Sequence, residues 1–205
     1  MTWRGWTTII LVLVFVAGPY SFAANAPLKS GAQRRVASTP INDFRFIDEY
    51  GAPFAFESLS GRVVVVAFVY TSCPDVCPMI TASLRQVQVG LGAEERQKVH
   101  LLTVTTDPEI DQPKVLLAYG KRYGADFANW SFLTGEPTAL KKLWQNFGVG
   151  VKRKGRGLVD HTPLTAIVDQ KKLLRFGYVG PSPDPKAVLS DIRALLSERL
   201  SAPAH

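Results

Sequence analysis

The chain has 205 residues, 46% of them hydrophobic, and a formal net charge of +7. This length predicts one domain with a leader, because a single domain takes about 100–200 residues. Four basic residues precede residue 40, where no acidic residue occurs, so the remainder of the chain carries only +3. That weak bias, without a basic run interleaved with aromatic residues, argues against a nucleic-acid-binding protein.

An apolar segment near the N-terminus predicts export from the cytoplasm. No charged residue occurs from Gly5 to Leu28, and the most apolar stretch, residues 8–17, follows Arg4. Its length lies between that of a secretory signal and the roughly 20 apolar residues of a membrane span. Residues 1–26 are therefore predicted to be a signal peptide or an N-terminal membrane anchor.

These two alternatives differ in where the mature chain begins. Cleavage after Ser21-Phe22-Ala23 would release the chain, whereas an uncleaved anchor would hold it at the membrane through residues 6–26. Either way, the globular part is expected outside the cytoplasm, in the periplasm. Residues 27–40 are polar and basic and predict a linker, so the folded domain is expected at residues 41–205.

The hydrophobic pattern of the body predicts strands that alternate with helices. In chain order, it predicts strands at 44–48 and 62–70, a helix at about 78–89, a strand at 99–104, helices at about 111–122 and 138–147, strands at 164–168 and 173–178, and a helix at 186–200. The second of these strands contains the run Val63-Val64-Val65-Val66-Ala67-Phe68-Val69, which is typical of a central strand buried on both faces.

The order of these elements predicts the fold class. Strands that alternate with helices indicate an α/β domain with helices on both faces of a sheet. A short polar turn joins the last two strands, so these strands are expected to be antiparallel beside parallel neighbours. The sequence therefore predicts a thioredoxin-like domain with a central mixed β-sheet.

Two cysteines follow the predicted central strand directly. Cys73 and Cys77 lie on the turn that opens the next helix, where backbone N–H groups and the helix dipole favour thiolate over thiol. Their four-residue spacing lets both sulfurs face the same side and brings them within reach of a disulfide. This pair can therefore hold a soft metal ion or form a redox-active disulfide.

A histidine precedes the predicted strand at 164–168, in the motif Asp160-His161-Thr162-Pro163. In a thioredoxin-like fold this loop lies beside the cysteine turn, so His161 can add an imidazole to two thiolates. Such a donor set suits Cu(I) in a low-coordinate site and can also hold Cu(II). Zinc in a closed structural site would normally need a fourth ligand. The predicted metal ligands are Cys73, Cys77 and His161.

Longer motifs carry a resemblance to a known family. The motifs are Cys73-Pro74-Asp75-Val76-Cys77-Pro78, Thr106-Asp107-Pro108-Glu109-Ile110-Asp111, Trp130-Ser131-Phe132-Leu133-Thr134-Gly135 and Val159-Asp160-His161-Thr162. Over residues 39–200 the chain resembles the SCO/SenC family of copper chaperones for cytochrome c oxidase assembly. The resemblance implies copper bound by Cys73, Cys77 and His161, a membrane-facing location and an oxidase subunit as partner.

The chain departs from the family pattern at two places. Gln170-Lys171-Lys172 replaces the Asp-Gly turn often seen between the last two strands. Pro163 follows the His-Thr pair, at the position where thioredoxin-like oxidoreductases carry a cis-proline. On that ground we expect a cis peptide between Thr162 and Pro163, which keeps a redox role open.

Structural roles compete with functional ones at several residues. Cys73 and Cys77 can form a plain structural disulfide, and His161 can simply hydrogen-bond within its own turn. Asp75 can be a turn residue or can tune the site by its charge. Other expectations are that His100 is structural, that His205 carries no signal, and that Met79, Trp130, Trp144 and Phe147 belong to the core. Asp107 and Asp111 can cap a helix or a turn, and the resemblance to the SCO/SenC family implies that they shape the metal loop from outside the ligand set.

Three functions fit these residues. The leading hypothesis is a copper carrier that is not an enzyme and transfers copper by ligand exchange. The alternatives are a thiol–disulfide oxidoreductase that uses Cys73 and Cys77, acting on the thiols of an oxidase subunit, and a thiol peroxidase. His161 separates these functions, because redox chemistry needs only the cysteines whereas copper binding needs all three residues.

Overall fold

The computed structural model describes Met1, residues 31–154 and residues 158–198. The predicted leader, apart from Met1, and the first residues of the predicted linker lie outside the described residues. Within the described ranges, no helix is both long and apolar enough to cross a membrane.

A six-stranded sheet forms the centre of the domain. Its strands lie in the order β1 (Gln33–Pro40), β10 (Leu173–Val179), β9 (Leu164–Val168), β4 (Val63–Val69), β5 (Val99–Thr105) and β6 (Trp130–Leu133). Strand β5 is parallel to both β4 and β6, whereas the pairs β4–β9, β9–β10 and β10–β1 are antiparallel. The predicted mixed sheet is therefore confirmed.

Helices and two short strand pairs surround this sheet. The helices are α1 (Val76–Gly90), α2 (Ala93–Lys98), α3 (Pro113–Arg122), α4 (Pro137–Asn146) and α5 (Pro185–Ser197), with a 3-10 turn at Phe56–Leu59. The short antiparallel pairs are β2 (Arg45–Ile47) with β3 (Pro53–Ala55), and β7 (Val151–Lys154) with β8 (Leu158–His161).

Strand β4 divides the core into two layers. Val65 and Ala67 pack in the cluster that contains apolar residues of α1, α3 and α5, whereas Val64 and Val66 pack in the cluster that contains those of α4. All seven residues of β4 are buried, as the unbroken apolar run predicts. Full burial of a Val, Leu, Ile or Phe side chain contributes about 1.5–3 kcal/mol, so this strand is a major source of stability.

The predicted burial of Trp130, Trp144 and Phe147 is confirmed.

Strand β1 corrects the predicted linker. Gln33–Pro40 pairs antiparallel with β10, so the folded domain begins before residue 41. The Arg34 guanidinium binds the Asp191 carboxylate with contacts of 2.7 and 2.8 Å, and it lies 4.4 Å from the centre of the Phe176 ring. The strand is mostly exposed, so it lacks the apolar alternation by which a sequence pattern is recognised as a strand.

Two further expectations were wrong. The described residues contain no cis peptide bond, so Thr162–Pro163 is trans. Thr162 N–H donates to the Gly150 carbonyl, and the Pro163 carbonyl accepts from Gly180 N–H. Backbone hydrogen bonds to two other segments therefore flank the Thr162–Pro163 peptide. Met79 is 42% exposed because it lies on the outer side of α1, away from the buried face that carries Ile80.

Candidate metal site

The cysteine turn joins the end of β4 to the start of α1. Cys73 N–H donates to the Tyr70 carbonyl over 3.2 Å, which tightens the turn. Cys73 is 9% exposed and Cys77, in the first turn of α1, is fully buried. Both cysteines are free thiols in this structure, which is the reduced form of the pair.

His161 reaches the cysteines from the end of β8. Its Nε2 lies 3.5 Å from the sulfur of Cys77. The Tyr70 ring meets the imidazole edge to face, with 5.8 Å between the ring centres. A cleft of about 380 Å³ is lined by Tyr70, Cys73 and His161, together with neighbours that include Asp75 and Val159. The structure therefore brings the three residues predicted from the sequence to one place.

The protonation of His161 follows from its neighbours. Its Nδ1 lies 3.1 Å from the carbonyl oxygen of Thr162, which can only accept a hydrogen bond. Burial lowers the pKa of His161, so the imidazole is neutral at pH 7. A neutral ring with its proton on Nδ1 leaves the lone pair of Nε2 directed at the Cys77 side of the cleft.

The two thiols differ in acidity. The Cys77 thiol donates to the Cys73 sulfur, and mainly for this reason the pKa of Cys73 falls to about 5. The pKa of Cys77 is raised, first by its bond to the Cys73 thiolate and second by burial. At neutral pH the pair therefore holds one thiolate, on Cys73, which lines the cleft. Burial raises the pKa of Tyr70 to about 12, so its hydroxyl stays protonated.

Asp111 holds the turn that leads into Cys73. Its carboxylate is fully buried and accepts from Thr71 N–H at 3.1 Å, from the Thr71 hydroxyl at 2.5 Å and from the Thr105 hydroxyl at 2.6 Å. The family resemblance implied that Asp111 shapes the metal loop. Its hydrogen bonds with Thr71 hold the backbone two residues before Cys73. Burial raises the pKa of Asp111.

Asp107 contacts the strand pair β7–β8, which carries His161. Its buried carboxylate pairs with Arg153 of β7, and Arg153 also lies 3.0 Å from a carboxylate oxygen of Glu109. Sequence reasoning missed Arg153, because nothing in the order of residues marks which base in a charged stretch meets a buried acid. It also missed Tyr70 and Thr71, which reach the site only through the geometry of the turn.

The remaining candidates lie apart from the ligand set. His100 is 6% exposed, its Nε2 lies 3.0 Å from the Ser131 hydroxyl, and burial lowers its pKa to about 4, so it is structural as expected. His205 lies outside the described residues. Across residues 31–154 and 158–198, no three His, Cys, Asp or Glu side chains are grouped closely enough to hold a metal ion as they stand, and this includes Cys73, Cys77 and His161.

Comparison with known proteins identifies relatives over most of the chain. The profile of the family described as SCO1/SenC matches residues 32–197. The SCO1 protein homolog of Bacillus subtilis is 37% identical over 163 residues, which are 75% of this chain and 81% of that protein.

Solved structures share the fold. The structure of BsSco, a member of the Sco family of cytochrome c oxidase assembly proteins in which a disulfide switch was identified, has a TM-score of 0.70. It is 28% identical, and the match covers 80% of this chain and 98% of that one. The structure of Bradyrhizobium japonicum ScoI with copper bound has a TM-score of 0.64 and 25% identity, over 78% and 99% of the two chains.

Proposed function

The chain belongs to the SCO1/SenC family, as its profile match and its relatives show, and we propose that it is a copper carrier. It binds one copper ion through Cys73, Cys77 and His161 and delivers that ion to a cytochrome c oxidase subunit in the periplasm. Delivery proceeds by ligand exchange, so the protein is not an enzyme. The observation that carries this proposal is the 3.5 Å contact between the Cys77 sulfur and His161 Nε2, in a cleft that Cys73 also lines.

The donor set fits copper. Two cysteine sulfurs and one imidazole are soft and borderline ligands, the combination that suits Cu(I) and also accommodates Cu(II). The Cys73 thiolate and the neutral His161 need no proton change at pH 7, whereas Cys77 must lose its proton. Metal binding should therefore release about one proton per copper ion.

The same thiols could serve thiol–disulfide exchange, but one argument for that role is gone. The sequence supported it mainly through an expected cis-proline at Pro163, and the peptide bond is trans. Exchange needs only the two cysteines, whereas copper binding also uses His161, which lies beside the Cys77 sulfur. We therefore place copper binding first and treat the disulfide as the metal-free oxidised form of the same site.

Metal analysis tests the proposal. The full chain is purified under reducing conditions, loaded with Cu(I), freed of excess metal and assayed for copper, with the double variant Cys73→Ser/Cys77→Ser as control. We expect close to one copper ion per wild-type chain and none in the variant. Equal copper in both proteins would refute the proposed site, and so would its absence from both.

A further inference from the structure

One face of the strand pair β7–β8 packs back onto the domain. Residues directly opposite across an antiparallel pair share a face, and here Val151 lies opposite His161 and Arg153 opposite Val159. Val159 is buried in the core, so this shared face is the inner one. The outer face carries Lys154 and Asp160, whose exposed side chains form a 2.9 Å ion pair.

Arg153 fixes this inner face to the loop after β5. Its guanidinium pairs with the carboxylate of Asp107, which has no exposed side-chain surface, and reaches Glu109 at 3.0 Å. The second Asp107 oxygen, Oδ2, has no hydrogen-bond partner among the described residues. Arg153 therefore supplies the main compensation for a buried negative charge, and removal of one partner of such a pair is costly.

The loop that receives Arg153 also holds the cysteine turn. Asp107 N–H donates to the Thr105 hydroxyl, and that hydroxyl donates to Asp111, which binds Thr71 two residues before Cys73. One short loop thus contacts the strand pair that carries His161 and the turn that carries Cys73. The separation between imidazole and sulfur depends on both attachments.

We propose that Arg153 is a positioning residue, which keeps His161 within reach of Cys77 by tying the inner face of β7–β8 to the buried carboxylate of Asp107. For its effect on copper this inference rests on the proposed function, but the positioning itself is a property of the metal-free protein. Outer contacts that orient a metal ligand typically change metal affinity by roughly 10–100-fold when they are lost.

The test compares Arg153→Met with Lys152→Met in the full chain. Each variant replaces one basic side chain of β7 by an unbranched one, but Lys152 is exposed on the outer face, whereas Arg153 pairs with Asp107 and Glu109. In the metal-free protein, hydrogen exchange at the backbone amides of β8 reports whether that strand stays attached. We expect loss of protection in Arg153→Met and wild-type protection in Lys152→Met. Equal protection in the two variants would overturn the inference, whatever the copper result.

Copper affinity and a double variant separate positioning from charge compensation. We expect Arg153→Met to bind Cu(I) roughly 10–100-fold more weakly than wild type, and Lys152→Met to bind normally. In Asp107→Asn/Arg153→Met the buried charge is gone, so folding stability should recover while copper affinity and β8 protection stay low. Recovery of affinity in this double variant would refute a positioning role. If wild type itself binds no copper, the proposed function fails and the exchange experiment still decides the positioning.

Discussion

The Cys77 sulfur and His161 Nε2 lie 3.5 Å apart although 84 positions separate the two residues in the chain. Cys77 is held by the start of α1, and His161 by the end of β8. Strand β4 pairs with β9, which begins three residues after His161, and so the sheet brings the two segments together. The topology of the sheet thus creates the site. A substitution in the cysteine turn should therefore alter the environment of His161, and a substitution near His161 should alter the reactivity of the cysteines.

The cysteines should form a reversible disulfide when no metal is bound. Mild oxidation of the metal-free protein is expected to reduce its mass by two hydrogen atoms, as the oxidant takes up two protons and two electrons, and to block alkylation; a reductant should reverse both effects. Bound Cu(I) should protect the thiols from oxidation, because metal and disulfide use the same sulfurs. Mass spectrometry after alkylation measures this. Two thiols that remain alkylatable under oxidation would contradict the prediction.

The alkylation rate of Cys73 should depend on pH in an unusual way. An ordinary thiol reacts faster as pH rises towards its pKa of about 8.5, because only the thiolate is nucleophilic. With a pKa of about 5, Cys73 is already thiolate at neutral pH, so its rate should be flat at neutral pH and fall as pH drops through 5. Buried Cys77 should react far more slowly.

A variant locates the cause of that acidity. Cys77→Ala removes the thiol that donates to Cys73, so the pKa of Cys73 should rise and its alkylation should again increase from pH 6 to pH 8. A rate profile for Cys73 in this variant that matches wild type would show that Cys77 does not lower the pKa.

Asp111→Asn should destabilise the fold and loosen the cysteine turn. Asp111 accepts three hydrogen bonds from Thr71 and Thr105, and an amide in its place would direct donors at donors. An unsatisfied buried group costs about 1–3 kcal/mol, which urea unfolding can measure. The exposed Glu94→Gln serves as the control and should unfold like wild type. Equal stability of the two variants would rule out this role for Asp111.

The sequence predicts those features of the fold and the site that depend on neighbouring residues, and it misses features that depend on contacts between distant segments. The run Val63–Val69 predicts a buried central strand, and the cysteines on the following turn predict a reactive site. Both predictions succeed because each rests on residues that are close together in the sequence. His161 enters the prediction only because the fold class places its loop beside that turn. Strand β1 has no such signal, because pairing with β10 and the Arg34–Asp191 contact create it.

The ion pair of Arg153 with Asp107 shows the same limit inside the site. The two residues are 46 positions apart, and Arg153 stands among other basic residues in Lys152-Arg153-Lys154. Strand alternation decides which of these three side chains turns inward, and the structure alone gives the register that fixes it. The cis peptide expected at Pro163 was also wrong, because the bond is trans; backbone hydrogen bonds to Gly150 and Gly180 flank it.

Single-cysteine variants should lose tight copper binding altogether. Cys73→Ser and Cys77→Ser each leave one sulfur and one imidazole, which is no longer a good low-coordinate site for Cu(I). Competition against a Cu(I) chelator measures the loss. Retention of wild-type affinity by either variant would remove that cysteine from the ligand set.

The most direct test of the three-ligand copper site is the Cu(I) affinity of His161→Ala, measured by chelator competition under reducing conditions against wild type and His100→Ala. His100 is buried and distant from the cysteines, so its variant controls for general loss of stability. We expect His161→Ala to lose more Cu(I) affinity than the roughly 10–100-fold typical of outer contacts, and His100→Ala, once folded, to bind normally. Full copper affinity in His161→Ala would contradict the three-ligand site.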